Sequence, residues 1–489
     1  MKFLDKEQRE QVGFYYVMDK LGIITSYGLE ERKNIRPFKT SEKNILIQEL
    51  DNLENIIESM LLNTYEYDKI GKIFCKIKDI RNSVKRCSEA GTLDEVELYE
   101  IKYFSILVTE LKSVLDKLYL DIEDVNLNSL DEIIFLLDPK RNGMPTFYVY
   151  DEYSKALKNT RDKKKQKEKE IFDAKTDEEV SELIKQRLDI VIEEEEEELN
   201  IRKELSFQIS KKAELINQNI KAIGRLDFLI AKANLSLSYN GSRPKICEEM
   251  EINLIEAFNP QIKEILEKGK RVFTPVSIDL SGGTTIITGA NMGGKSVALK
   301  TIVLNLLLGQ MGFFVFAKQS KFPILNFIHF VSDDMQSISK GLSTFGAEII
   351  KLKEVVECAS RVNGFIALDE FARGTNPKEG YYLVKALCKY LTKFKSVSLI
   401  STHYDGVVED NMVHYQVVGL KNADFGALKY KIDLNKTQSV EIIQEHMEYR
   451  LEKVSKDNKV PKDALNIAIL LVFDEDIIDL AKSFYKQEG

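Results

Sequence analysis

The chain has 489 residues, a formal net charge of −8, 44% hydrophobic and 30% charged residues, and no tryptophan. Such a length holds two to four domains, and the balance fits a soluble globular protein with long exposed helices. No stretch of 18 uncharged apolar residues suggests a membrane span, and the opening Met1–Arg9 is too charged for a secretory signal. The five cysteines (Cys75, Cys87, Cys247, Cys358 and Cys388) lack C-x-x-C spacing and the four histidines are dispersed. The expectation is reduced thiols, no zinc site, no membrane partner and a cytoplasmic protein.

Residues 1–135 read as an all-α core. Leu46, Leu50, Leu53, Ile56, Ile57, Met60 and Leu61 recur at three- and four-residue spacing, and glycine and proline are sparse. Residues 136–240 read as a lever. Leu136–Gly143 is a turn cluster around Asp138-Pro139, and Thr146–Tyr150 carries a short strand pattern. From Asp151 the chain is highly charged, with a basic run Lys163–Lys169 and an unbroken acidic run Glu193–Glu198. Charge runs of this kind usually mark solvated helix faces. Ile209, Ala213, Ile216, Ile220 and Ile223 then make a coiled-coil-like seam on one long helix. Asp151–Leu235 is thus expected to form two long antiparallel helices with a clamp-like tip.

Residues 241–433 carry the strongest signal. Gly289-Ala290-Asn291-Met292-Gly293-Gly294-Lys295-Ser296 fits G-x-x-x-x-G-K-[ST]. The β-rich run Thr284–Thr288 precedes it, and an apolar run from Val297 through Leu308 follows. A glycine-rich turn between strand and helix offers backbone N–H groups and the positive end of the helix dipole to a polyphosphate. The candidate nucleotide-binding residues are Gly289, Asn291, Met292, Gly293, Gly294, Lys295, Ser296 and Val297. Lys295 would reach the β- and γ-phosphates of ATP, and the Ser296 hydroxyl would hold Mg²⁺. Further on, Phe365-Ile366-Ala367-Leu368 reads as a buried strand ending in Asp369-Glu370. Asp369 would hold the Mg²⁺ through water, and Glu370 would polarise the attacking water. Leu399–Tyr404 is another short β-rich run, ending in Thr402-His403. His403 could bond the γ-phosphate or that water, although a lone histidine is more often structural. In residues 434–489, Ile442, Ile443, Met447, Leu451 and Val454 read as one amphipathic helix, and Pro461 begins another.

These motifs together resemble the MutS family of DNA-repair ATPases. Ile287–Ser296 is similar to its T-G-P-N-M-G-G-K-S loop, with Ala290 in place of proline. Asp369-Glu370-Phe371-Ala372-Arg373-Gly374-Thr375 resembles its D-E-x-x-R-G-T block, and Thr402-His403-Tyr404 its T-H-Y block. Gln336-Ser337-Ile338 with Leu342-Ser343-Thr344-Phe345, and Gly374–Gly380, are most similar to the bacterial branch without a mismatch-recognition domain. The resemblance implies an α/β P-loop (ABC-type) ATPase domain at 241–433, preceded by an all-α core and long lever or clamp helices. Residues 434–489 would form a helical dimerisation segment. It also implies a homodimer in which Ser343 and Thr344, at a helix N-terminus, meet the γ-phosphate bound by the opposite subunit; on sequence alone they could equally cap their own helix. The branch's C-terminal nuclease-like module is expected to be absent. The clamped partner stays open between duplex or branched DNA and a protein client. Similar truncated ATPases beside cobalamin-dependent aminomutases suggest a reactivating role by analogy. Basic and acidic residues are nearly balanced over 151–235, which argues for weak attraction to nucleic acid.

Overall fold

The computed structural model describes residues 3–141, 146–289, 294–332, 344–434, 439–454, 463–471 and 475–487. The chain divides into two compact units, one of residues 1–22, 35–54 and 232–489, the other of 23–34 and 55–231. Residues 1–22 and 35–54, expected to belong with the helical core, thus fall in the same unit as 232–489.

The second unit is helical. Its Glu95–Leu118 helix begins with a reciprocal cap, in which Asp94 accepts from the Glu97 N–H and Glu97 from the Asp94 N–H. Buried Asp227 accepts from the Ile24 and Thr25 N–H groups and from the Thr25 hydroxyl, 2.7 Å away. Gly224 lies so close to the Tyr27 backbone that an added Cβ would sit 2.9 Å from it.

The charged stretch expected to form two long helices forms three: Lys155–Asp173, Asp177–Ser210 and Ala213–Tyr239. Ser154 caps the first and Thr176 the second, and Asp177, Glu178 and Glu179 favour the second's positive end. The first two pack as an antiparallel hairpin whose turn lies at 174–176. Its charge runs face each other. Arg161 pairs with Glu194 at 3.0 Å and with Glu198 at 2.7 Å, and Lys164 also pairs with Glu194. The expected single seam is interrupted at Lys211–Lys212, so Ile209 lies in the last turn of one helix and Ala213 begins the next. Thr146–Tyr150 joins no sheet; Phe147, Val149 and Tyr150 bury themselves through ring packing, with Phe147 and Tyr150 edge-on.

The first unit carries two sheets. Its strands are β1 (Lys245–Cys247), β2 (Glu251–Ala257), β3 (Val276–Ser281), β4 (Gly283–Thr288), β5 (Gln319–Pro323), β6 (Ile328–Ser332), β7 (Phe365–Asp369), β8 (Val397–Ser401), β9 (Val413–Gly419) and β10 (Glu448–Lys453). The smaller sheet has the order β1-β5-β2-β3, the larger β10-β9-β4-β8-β7-β6. In the larger sheet only β10 runs antiparallel to its neighbour. Strands β4, β6, β7 and β8 are buried throughout, as parallel strands covered on both faces must be. The Gly294–Gln310 helix packs on β7 and β8 and also on β2 and β3, so nearly every side chain is buried. That explains a helix apolar all round instead of on one stripe. Near its C-terminal end the buried Lys232 ammonium donates to the Gly312 carbonyl at 2.7 Å and pairs with Glu49.

The C-terminal region departs from the expected continuous helix. A short helix, Ser439–Glu445, is followed by strand β10, which carries Leu451 and pairs with β9. Tyr449 and Leu451 alternate with charged neighbours, a period of two that suits an edge strand. Helices Asp463–Leu470 and Glu475–Gln487 follow; Pro461 lies outside the described residues.

Candidate functional site

The C-terminal ends of β4, β7 and β8 lie side by side. Register pairs Asp369 with Ser401, and Ile287 with Ser401 on the other side. In an open parallel sheet this edge is where ligands gather, because strand ends and helix starts meet there. β4 delivers the chain to Gly289, whose φ of +130° and contact with Val417 leave no room for a side chain. Helix Gly294–Gln310 starts where the loop ends, so Gly294, Lys295, Ser296 and Val297 occupy its first turn. Asn291, Met292 and Gly293, with Ala290, lie outside the described residues, as does Ser343. Thr344 opens the Thr344–Ala359 helix.

Lys295 is nearly inaccessible to solvent. Its ammonium donates to the Gly289 carbonyl at 2.7 Å and pairs with Glu370 at 3.2 Å. Burial pulls its pKa below the ordinary lysine value, while Glu370 and then Asp369 oppose that shift. Glu370 pairs on its other oxygen with half-exposed Arg373 at 2.9 Å. Asp369 accepts from the Ser401 hydroxyl at 2.6 Å and also bonds the Ser296 side chain. Burial raises its pKa, and those two hydroxyls and Lys300 pull the other way. His403 packs against Tyr404, with ring centroids 4.2 Å apart, and its edge is open to solvent. Partial burial lowers its pKa most, Glu370 raises it, and Lys295 and Arg373 lower it further, so the imidazole is neutral at pH 7.

The backbone after β7 is held in an uncommon shape. Glu370 and Ala372 both have positive φ, +49° and +64°. The Glu370 N–H donates to the Ser401 hydroxyl at 3.0 Å, and the Ala372 N–H to buried Glu348 at 3.1 Å. This turn aims the Glu370 carboxylate back at Lys295 instead of along the strand.

Several of these residues had no assigned role in the sequence reading. Ser401 bonds the Asp369 carboxylate, Arg373 pairs with Glu370, and Glu348 holds the turn that carries Glu370. The first two stand beside motif residues, but nothing local marks Glu348. A cavity of about 420 Å³ opens beside the first helical turn, lined by Arg271, Phe273, Gly294, Val297, Met447 and Tyr449, among others. Tyr449 was hidden because β10 reads as helix in the sequence, and Met447, just before that strand, because it reads as part of the same helix.

An α/β ATPase-type domain joined to helical regions is the class this fold and site define. Residues 285–474 match the family model MutS domain V. The chain is 33% identical over 217 residues to the "Endonuclease MutS2" of Agathobacter rectalis, covering 44% of this chain and 27% of that protein. It is 29% identical over 303 residues to the "Endonuclease MutS2" of Leuconostoc mesenteroides (62% and 35% covered). It is 27% identical over 260 residues to the "DNA mismatch repair protein MutS" of Staphylococcus aureus (52% and 29% covered). The chain therefore aligns with about a third or less of each relative's length. Over residues 285–474 the chain is thus similar to the ATPase domain of the MutS family.

Proposed function

We propose that the chain binds ATP with Mg²⁺ and hydrolyses it in a P-loop, ABC-type domain, as a homodimer of the branch without a mismatch reader. The observation that carries this reading is the buried meeting of Lys295, Glu370 and Asp369 at three adjoining strand ends. Gly289 and the first turn of the Gly294–Gln310 helix would receive the phosphates, with Lys295 exchanging Glu370 for the β/γ-oxygens. The Ser296 hydroxyl and the Asp369 carboxylate, already hydrogen-bonded to each other, form a hard oxygen pair suited to Mg²⁺. When bound, that ion would neutralise phosphate charge. Glu370, released from Lys295, would accept the proton of the attacking water, and neutral His403 would orient that water or the γ-phosphate. The cavity beside Val297 suits a nucleobase in size and lining, with Phe273 and Tyr449 offering rings. Ser343, with Thr344 beside it, would act on the nucleotide of the opposite subunit.

The test is Lys295→Ala. One charged hydrogen-bonding group is worth about 1.5–3 kcal/mol, so ATP affinity should fall roughly 10- to 100-fold. Nucleotide titration by fluorescence measures it; unchanged affinity would remove the reading.

For the clamped partner we propose DNA, in keeping with the names of the relatives, acting in repair or recombination within the cytoplasm. A protein client is the second reading. It is favoured by the hairpin's internal pairing of Arg161 and Lys164 with Glu194, which withdraws part of its basic charge from phosphates.

A further inference from the structure

β6 is the last strand of the larger sheet, so one of its edges has no neighbouring strand. The Phe365 N–H bonds the Phe327 carbonyl, and by alternation the backbone groups of Ile328, Phe330 and Ser332 turn to the open side. Residues 4–11 meet all three. The Leu4 N–H donates to the Ile328 carbonyl at 3.3 Å, the Gln8 amide to the Phe330 carbonyl at 2.6 Å, and the Ser332 hydroxyl to the Gln11 side chain at 3.1 Å. Gln8 lies on the Lys6–Gln11 helix and is 3% exposed. Both ends of its side-chain amide are engaged, because its oxygen also accepts from the Asp5 N–H at 2.9 Å, while Asp5 accepts from the Gln8 N–H. Blunting an open sheet edge takes only a charge or a proline.

The same short helix bears on the elements that carry the site. Ser332 stands in register with Asp369 on β7. Lys351 of the Thr344–Ala359 helix lies 3.9 Å from Asp5 and 3.8 Å from Glu7. It comes one turn after Glu348, whose carboxylate holds the Ala372 N–H and with it the turn that aims Glu370. We propose that Gln8 is a positioning residue for hydrolysis. By fixing the Lys6–Gln11 helix on β6, it keeps Asp5 and Glu7 against Lys351, and so keeps the Thr344–Ala359 helix, Glu348 and the Glu370 carboxylate in place. The proposal rests on the reading of Glu370 as the base. The partners of the Gln8 amide are Asp5 and Phe330, not the phosphate loop, so the effect falls on rate and not on nucleotide affinity.

The test uses the full chain. Gln8→Met keeps the side chain's length but gives the Phe330 carbonyl no donor. Single-turnover hydrolysis should fall roughly three- to tenfold, with ATP affinity within about twofold of wild type. In a double-mutant cycle with Glu348→Ala the two losses should not multiply, because both act through one turn. The double variant should be at most about twofold slower than Glu348→Ala alone. A second pair of variants leaves the buried amide untouched. Lys351→Glu, placed beside Asp5 and Glu7, should slow hydrolysis about threefold, and Glu7→Lys in the same chain should restore it. Equal losses of rate and affinity in Gln8→Met, losses that multiply with Glu348→Ala, or no rescue of Lys351→Glu would each overturn the proposal. Glu370→Gln is measured alongside. A wild-type rate in that variant removes the reading of Glu370 and the proposal with it; where that variant is inactive, the three outcomes above count against Gln8 alone.

Discussion

Glu370→Gln separates binding from chemistry most cleanly. In the protein this carboxylate holds two cations, Lys295 at 3.2 Å and Arg373 at 2.9 Å, and both it and Lys295 are buried. Glutamine keeps the shape and one accepting oxygen but cannot take a proton from water. Loss of a general base costs about 10²–10⁴ in rate, so single-turnover hydrolysis should fall at least 100-fold, or about 2.7 kcal/mol of barrier. The sign on binding is opposite. Wild-type Lys295 must give up a charged partner to reach a phosphate, and the variant's Lys295 gives up only a neutral one. Charged hydrogen bonds exceed neutral ones by about 1 kcal/mol, so ATP affinity should stay level or tighten up to roughly fivefold. Without nucleotide the variant should lose about 1–3 kcal/mol of stability, because a buried ammonium has lost its strongest acceptor. Rapid-quench single-turnover kinetics, fluorescence titration and thermal melting read the three effects. A wild-type hydrolysis rate would refute the role of Glu370, and a loss of affinity would refute the competition described for Lys295.

Other outcomes follow from the same geometry. Asp369 has a raised pKa from burial, so its charged form costs folding stability above that pKa, and the cost disappears as pH falls through it. Asp369→Asn should therefore melt at the same temperature as wild type or higher at pH 7 without Mg²⁺, by a margin that shrinks as pH falls through the raised pKa toward the ordinary carboxylate range, while Mg²⁺-dependent hydrolysis is lost. If Ser343 acts across a dimer, Ser343→Ala and Lys295→Ala chains should each be nearly inactive. Mixing them, with subunit exchange verified, should restore one working site, whereas no recovery would make Ser343 a local cap. Duplex binding should be weak and salt-sensitive, with a slope of log affinity on log salt corresponding to roughly two to four phosphate contacts. Lys163, Lys165 and Lys169 are the exposed members of the basic run, so their replacement by glutamine should remove most of it; tight, salt-resistant binding to mismatched or four-way-junction DNA would contradict this.

The strands and the first helix of the site were legible because burial there is simple. A parallel strand covered on both faces is a short β-branched or apolar run, and Thr284–Thr288, Phe365–Leu368 and Leu399–Ile400 announce themselves that way. The C-terminal region was not. Glu448–Lys453 alternates with period two over only six residues, and the apolar residues before it suggest a helix; pairing with β9, a tertiary fact, decides the matter. The same reason hid Tyr449 from the cavity. The hairpin was half legible: its helices follow from composition, but the pairing of Lys164 with Glu194 depends on which faces meet. Two charge runs that look like separate solvent-facing features are in part each other's partners. Glu348 has no local signature because its role is to accept from a backbone N–H 24 residues away.

Glu348 also provides the sharpest remaining test of how the turn after β7 works. Residues with positive φ other than glycine cost about 1–3 kcal/mol each and persist only where their surroundings hold them. Here Glu370 is held by Ser401, while Ala372 is held by Glu348 from the Thr344–Ala359 helix. Ring contact between Phe345 and Phe371, 6.3 Å apart, ties that helix to the turn a second time. Glu348→Ala removes the acceptor and leaves the Ala372 N–H buried without it, a penalty of about 1–3 kcal/mol that the turn can escape by relaxing toward negative φ. Relaxation would swing Glu370 away from the position opposite Lys295. The phosphate-binding groups on Gly289 and the Gly294–Gln310 helix would stay in place, since the bond lost is the one to the turn after β7. Hydrolysis should therefore drop by roughly 10- to 100-fold while ATP affinity changes little, and Glu348→Gln, which still accepts, should recover most of the rate. Equal losses in rate and affinity, or no rescue by glutamine, would show that Glu348 supports the whole unit instead of positioning the catalytic turn.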